Sequence, residues 1–404
     1  MSKNQTTVTT RVANFIKRVI VGPTVRYIFL KLGLSSKFRV LNTNAAAIGH
    51  LCVDVDCFLK ERELEKIPFR GILLAERSVA ANNILVRLWS RHPGLVVFQN
   101  SLACFLFDYL RIYEDTSFDC SKYCATDGRQ AEVFMIRNRH LSTKSTVSWE
   151  RGLYDAAVSL FHRKFPCVDL NRVVAFHSRD SVYDGQTNNN NYFNQNYRNS
   201  DLKSYSAILD YLKERGYTVI RLGEYEKQDG ISKYNYLELT GLGCFERDLL
   251  NVFISSVCSI FLGSASGASD LATIWNRPVF RINVLPYSFL RPHSKKGMAI
   301  PKLLKKNGAI LSASQIFGAN YHWLRDDASY ERNGIQIENN APLDCLPDFI
   351  EFFKSFVDED YSVYLGMAQS FQQKVYEQLC SEDSYDYRAQ SIVPRFYFQK
   401  WGIV

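Results

Sequence analysis

Short apolar runs punctuate this chain at regular intervals. Phe38-Arg-Val-Leu41, Gly71-Ile-Leu-Leu-Ala75 and Leu95-Val-Val-Phe98 are each four or five residues long. Between them lie segments with apolar positions at helical spacing, around Leu51 to Glu65 and Ala80 to Arg91. Strand, helix, strand, helix, strand at this spacing predicts a parallel sheet with helices on its faces. Residues 104 to 165 read as mostly helical, with a loop around Phe118 to Gly128.

A second alternation opens at Arg172-Val-Val-Ala-Phe176. A polar loop follows, Asp184 to Asn196, with an asparagine run at Asn188 to Asn191. Then come a helix from Leu202 to Arg215, Gly216 as its terminator, and the strand Thr218-Val-Ile-Arg-Leu222. A strand at Tyr236 to Leu239, a helix from Glu246 to Ser255 and the strand Ser259-Ile-Phe-Leu262 continue the rhythm. A helix from Ala268 to Trp275 and the strand Val279-Phe-Arg-Ile282 close it. Lys302 to Lys306, Ala313 to Phe317 and much of Leu346 to Tyr385 read as helical.

A chain of 404 residues exceeds one ordinary core, so two domains are expected. The pattern predicts an α/β protein of two Rossmann-like, doubly wound domains facing a cleft. Residues 38–168 form the first domain in this reading and 169–345 the second. A basic segment, 1–37, precedes them, and C-terminal helices, 346–404, pack back on the first domain.

Charge changes the picture only at the front. The net charge is +8, and residues 1 to 40 hold eight Lys and Arg with no Asp or Glu, leaving 41 of each sign elsewhere. Val12, Phe15, Ile16, Val19 and Ile20 give that segment one apolar helical face, with Arg11, Lys17 and Arg18 opposite. Such a segment suits the surface of an anionic membrane, or packs on the protein itself. Nucleic acid is not an expected partner, because no basic stripe continues into the body. No apolar run is long enough for a transmembrane helix, and the front does not read as a secretory signal. Ten dispersed cysteines without that signal point to reduced, mostly buried thiols and a cytoplasmic location. Cys120 and Cys124 have no second pair at zinc-finger spacing, so no metal is expected there.

Candidate chemistry gathers where the second domain's strands end, the place where parallel sheets meet ligands. His177, Arg179, Asp180 and Tyr183 follow one strand; Arg221, Gly223 and Glu224 end the next. Gly263-Ser-Ala-Ser-Gly267, with Ser269, follows a third, and Asn283 ends a fourth. Small residues before a helix start let backbone amides approach a phosphate, and Ser264, Ser266 and Ser269 add hydroxyls. The same turn also reads as a plain helix cap. It is neither a Walker loop nor GxGxxG. Arg179 and Arg221 suit phosphate oxygens taken two at a time, or structural pairs with Asp180, Glu224 or Asp201. Arg198 and Asn199 lie near a helix start and join them. His177 is a candidate base or hydrogen-bond donor. In the first domain His50 takes the equivalent place after a strand, with Asp54 and Asp56 able to reach the same region but expected on the helix surface beyond it.

The runs HSRDSVY, YRNSDLKSYSAILDYLKERGYTVIRLGE and FLGSASG with NRPV resemble a family of bacterial glycosyltransferases associated with surface-polysaccharide biosynthesis. AIGHLCVDVDCFL, ANNILVRLW and GIQIENNAPLD extend the resemblance over residues 38 to 355. It implies a GT-B architecture with a nucleotide-sugar donor on the C-terminal half and a glycan or lipid-linked acceptor. It places Ser264, Ser266 and Gly267 at the donor phosphates, with Arg179 and Arg221 offsetting their charge. No metal or other cofactor is implied, and Asp54-Val-Asp56 falls inside a helix instead of forming a strand-end Asp-x-Asp site. His50, Asp180 and His177 are then the candidates for proton transfer. A sugar-nucleotide epimerase, a pyruvyl or phosphoryl transferase, or a non-catalytic glycan-assembly protein are the alternatives.

Overall fold

The structure, a computed structural model, describes residues 21–123, 140, 143–180, 195–223, 235–287, 296–358 and 394–402. The chain forms two compact units, Met1–Gly128 with Thr146–Ser148, and Arg129–Ser145 with Trp149–Val404. The basic helix expected over 12–20 and the asparagine run at 188–191 lie outside the described residues.

In the first unit, strands β1 (Phe38–Asn42), β2 (Arg70–Leu74), β3 (Leu95–Phe98) and β4 (Ser117–Asp119) form a parallel sheet in the order β3-β2-β1-β4. Helices α1 (Gly22–Lys31), α2 (Ile48–Leu64), α3 (Asn83–Trp89) and α4 (Ser101–Asp108) accompany it. Local chemistry sets their starts. The Asn82 side chain accepts the Leu85 amide at the head of α3, and Asn100 does the same for Leu102 and Ala103 at α4. Phe29 of α1 packs in a core with Val40, Ile72, Leu74, Cys104 and Leu110. Asp54 and Asp56 lie in α2 but are buried, contrary to the surface placement expected for them. Asp54 is engaged by Thr43 and His50, and Asp56 by Lys60 and Thr146, which offsets the cost of burying carboxylates.

The second unit is built on a six-stranded, wholly parallel sheet. Its strands are β5 (Val173–His177), β6 (Thr218–Arg221), β7 (Leu237–Glu238), β8 (Ile260–Gly263), β9 (Val279–Val284) and β10 (Gly297–Pro301), in the order β10-β9-β8-β5-β6-β7. Read from its first strand, β5 leads outward to β6 and β7, and the chain then crosses back to place β8 on the other side of β5. That is the Rossmann order, with its switch point between β5 and β8. Flanking helices are α5 (Arg151–Lys164), α6 (Ser206–Glu214), α7 (Cys244–Val257) and α8 (Gly267–Ile274). A small antiparallel sheet joins β11 (Leu303–Lys306), β12 (Ala309–Ile310) and β13 (Ile335–Glu338), with α9 (Ala313–Gly318) and α10 (Asp327–Arg332) beside it in sequence.

Three expectations need correction. Lys302 to Lys306 was expected to be helical; four of those residues are β11, paired with β12 and β13 on its two sides. The domain boundary expected at 168 comes earlier. Trp149 stacks on Trp275 at 5.7 Å and donates to Ser256, while Arg163 of α5 pairs with Glu246 at 2.8 Å. These contacts bind α5 into the second unit. Finally, α11 (Leu346–Phe356) and α12 (Arg395–Trp401) do not join the first domain. Phe349, Phe352, Phe353 and Tyr397 pack with Val174, Phe176, Leu262 and Phe280, completing the second unit's core.

Among the described residues eight cysteines are free thiols, six of them buried. No described helix is long and apolar enough to cross a membrane.

Candidate functional site

The carboxyl ends of β6, β5, β8 and β9 lie side by side, so the polar clusters that follow these strands share one edge. In register across them, His177 stands beside Gly263, and Gly263 beside Arg281. In-register neighbours of a parallel sheet point to one face, so Gly263 leaves a side-chain gap between an imidazole and a guanidinium. Only glycine fits there, because a Cβ would lie 2.2 Å from the His177 carbonyl oxygen. Gly223 has a similar duty: its φ of +83° is left-handed, and a side chain would press on the His177 ring at 3.0 Å.

The turn after β8 is organised by hydroxyls. Ser264 is fully buried, and its Oγ accepts the Arg179 amide at 2.9 Å. Ser269 donates to the Ser266 carbonyl at 2.7 Å. Ser264 thus holds the Arg179 backbone, and Ser269 the turn's own. Ser266 differs. It sits at the N-cap of α8, yet its Oγ meets His177 Nδ1 at 3.0 Å, and α8 has no side-chain cap. The positive end of a helix thus faces the strand-end mouth with its first-turn amides uncapped by side chains.

Three arginines belong to the loops and strand ends of this edge. Arg179 is buried, its backbone held by Ser264 on one side and by the Ser200 amide on the other, and its Nε donates to Asn199 Oδ1. Arg221 is 1 % exposed; it pairs with Asp180 at 3.1 Å and lies 5.8 Å from the Tyr236 ring centre. Arg198 donates to the Ala265 carbonyl at 3.0 Å, tying its loop to the serine turn. Burial, then the Arg221 and Arg179 charges, push the His177 imidazole down to about 3. At neutral pH it is an uncharged hydrogen-bonding partner of Ser266, too weakly basic for the proton transfer considered for it. Asp180 is held against Arg221, which makes it a support for that guanidinium.

Two residues of this edge escaped the sequence reading. Arg281 lies within β9, where its neighbours read as a plain apolar strand; the register with Gly263 reveals it. Lys302 follows β10, is buried, and donates to the Asn199 carbonyl at 2.5 Å. Burial lowers its ammonium to about 8, against the pull of Asp327 and Asp201. Its expected place in a helix hid it.

Asn283 was expected to meet substrate. It is buried, with a left-handed φ of 57°, and spans Ser200 Oγ and the Asn340 backbone amide at 2.8 Å each. Tyr183 and Glu224 lie outside the described residues. In the first unit, His50 Nδ1 lies 3.1 Å from Asp54 Oδ2, and Thr43 Oγ1 anchors the same carboxylate oxygen at 2.8 Å. Among the described residues no group of three or more His, Cys, Asp or Glu is placed to hold a metal ion.

No protein-family model matches the chain, and no curated protein matches it in sequence. Solved structures do. A family 9 glycosyl transferase from Veillonella parvula matches at 9% identity and TM-score 0.47, over 80% of this chain and 97% of that one. The E. coli ADP-heptose lipopolysaccharide heptosyltransferase II matches at 11% and TM-score 0.42, over 67% and 92%. An E. coli heptosyltransferase with ADP-2-deoxy-2-fluoro heptose matches at 10% and TM-score 0.37, over 74% and 99%. The likeness is loose. The site's own geometry has to carry the functional reading.

Proposed function

We propose that the second unit binds the diphosphate of a nucleotide-sugar donor, and that the chain is a metal-independent GT-B glycosyltransferase acting on a glycan or lipid-linked acceptor of a bacterial surface polysaccharide. One observation carries this reading. At the switch point of a Rossmann sheet, the Ser266 hydroxyl pairs with His177, so α8 keeps an N-terminus without a side-chain cap, on the edge where Arg179 and Arg221 belong to the next two strands. A helix N-terminus and buried guanidinium groups on one sheet edge fit a diphosphate. The sequence runs quoted above, similar to those of glycosyltransferases, point to the same class.

In the reaction so read, the acceptor oxygen forms a bond to the donor's anomeric carbon. The bond from that carbon to the diphosphate oxygen breaks, and the nucleoside diphosphate leaves with the electron pair. The α8 amides, Arg179 and Arg221 offset the charge growing on the leaving group, the largest contribution such a site supplies. This reading routes no step through a metal or another cofactor. His50, its ring oriented by Asp54, is the proposed base for the acceptor hydroxyl. Peripheral contact with an anionic membrane belongs to the same proposal. The outer face of α1 presents Tyr27, Ile28 and Leu32 beside Lys31, with the three apolar side chains at least half exposed.

The test is a thermal-shift screen with ADP, UDP, GDP and CMP, followed by isothermal titration of the best binder and product analysis with its sugar conjugates. Arg179→Ala and Arg221→Ala are each expected to weaken that binder about 10- to 100-fold, as loss of a charge-assisted contact does. Near wild-type affinity in both variants overturns the donor site. Epimerised or hydrolysed sugar without transfer assigns another sugar-nucleotide enzyme.

A further inference from the structure

A path of hydrogen bonds joined through the backbone of Asn340 and Ser200 runs from the C-terminal helix to the Arg179 backbone, and of its five residues only Tyr397 lies outside those singled out in the sequence. Tyr397 of α12 donates its hydroxyl to Asn340 Oδ1 at 2.6 Å. The Asn340 amide donates to Asn283 Oδ1, and Asn283 Nδ2 to Ser200 Oγ, both at 2.8 Å. Ser200 Oγ also meets the Tyr205 hydroxyl at 2.9 Å, while the Ser200 amide donates to the Arg179 carbonyl at 2.9 Å. Tyr397, Asn340, Asn283, Ser200 and Tyr205 are all buried. From Tyr397 to Ser200 every donor points the same way, with the Asn340 side chain and backbone linking two of the bonds covalently.

The two ends of this path are anchored differently. At the mouth, Arg179 is gripped from both sides, its amide by Ser264 Oγ and its carbonyl by Ser200. At the far end, α12 is clamped by Asp348, whose two carboxylate oxygens accept the Phe396 and Tyr397 amides. Asp344 and Glu351 add ion pairs to Lys400 and Arg395. Tyr397 carries that clamp into the path through its hydroxyl. An apolar ring would have filled the same space; a hydroxyl there has Asn340 Oδ1 and the Pro301 carbonyl within reach, at 2.6 and 3.0 Å.

We propose that α12 is a positioning element of the anion cradle, and that the Tyr397 hydroxyl, acting through Asn340, Asn283 and Ser200, fixes the backbone carrying Arg179. Tyr397 touches no ligand in this role. The inference rests on the donor-site reading for its functional consequence, but its physical content, the rigidity of the segment around Arg179 and Ser200, does not.

Hydrogen–deuterium exchange of the full chain separates the two. In Tyr397→Phe, amides of 178–180 and 199–201 are expected to exchange about five-fold faster, as removal of one buried neutral hydrogen bond predicts. Phe398→Leu, a neighbouring core change on the same helix that leaves the hydroxyl in place, serves as the control. It is expected to lower the melting temperature without accelerating those amides. Unchanged exchange in Tyr397→Phe, or equal acceleration in both variants, overturns the proposal. Affinity for the best nucleoside diphosphate should fall about five-fold in Tyr397→Phe and stay within two-fold in Phe398→Leu. If the wild type binds none of the four nucleotides, the donor reading falls and the exchange result alone decides the path. If it binds one and Tyr397→Phe binds it equally well, the path does not serve the cradle.

Discussion

A methyl group at position 263 would lie 2.2 Å from the His177 carbonyl oxygen, a backbone atom that cannot swing aside. Gly263→Ala is therefore expected to lower stability by about 3 kcal/mol, the upper end for overpacking a tight site. Urea unfolding of the variant measures this, and a loss under about 1 kcal/mol would show that the β5–β8 edge yields. Residue by residue, the mouth was half legible in advance. Arginines and small residues after strands stand out because turns do not require them. What a hydroxyl engages cannot be read from a string: Ser264, Ser266 and Ser269 look alike in sequence, yet Ser264 holds the Arg179 amide, Ser266 meets the His177 ring and Ser269 bonds the turn's own backbone. Arg281 and Lys302 were invisible for a related reason, since register and burial, not neighbours in sequence, bring them to the edge.

At the scale of elements, most of the long apolar strands of both sheets were legible because burial on two faces leaves a nearly unbroken run of branched residues. Strand β10, buried throughout but reading Gly-Met-Ala-Ile-Pro, was not. Nor were the short, half-exposed pieces. β4 has three residues and β12 two, and neither carries a period that distinguishes it from coil. β11 reads Leu-Leu-Lys-Lys, equally a helical turn until β12 and β13 pair with it. Helix α1 shows what an element can hold in reserve. Phe29 binds it to the first unit's core, while Tyr27, Ile28 and Leu32 stay outside. Changing those three together to serine spares the packing side, so the fold should persist. Co-sedimentation with phosphatidylserine-containing vesicles is expected to drop about ten-fold or more, each buried apolar side chain adding roughly 1 kcal/mol or above at an interface. Equal sedimentation of the variant and the parent would remove α1 from the membrane proposal.

Across the whole molecule, pH sensitivity is set by a few buried groups of opposite sign. Burial raises the Asp348 carboxyl from 3.8 to about 7, despite the Tyr397 and Phe396 amides it accepts. Between those values the folded chain keeps a proton that the unfolded chain releases, so this group's contribution falls as pH rises from about 4 to 7. His177 works the other way. Its depressed value near 3, against an ordinary 6.5, makes its contribution fall as pH drops through that window. The opposed slopes flatten the total. Asp348→Asn removes one of them, so its stability relative to the parent is expected to improve by about 1–3 kcal/mol between pH 5 and pH 8. Denaturant midpoints at the two pH values measure it, and a constant difference between variant and parent would show that Asp348 does not titrate there.

The stacked pair Trp149 and Trp275 has one more use. Trp275 follows the last residue of α8, a rod of eight residues and so about 12 Å long, whose opposite tip is the uncapped end beside Ser266. Coupled indoles change their emission when their overlap changes. The protein thus contains a native fluorophore at the tail of the very rod whose head would receive an anion, and occupancy there can be watched in the unlabelled chain.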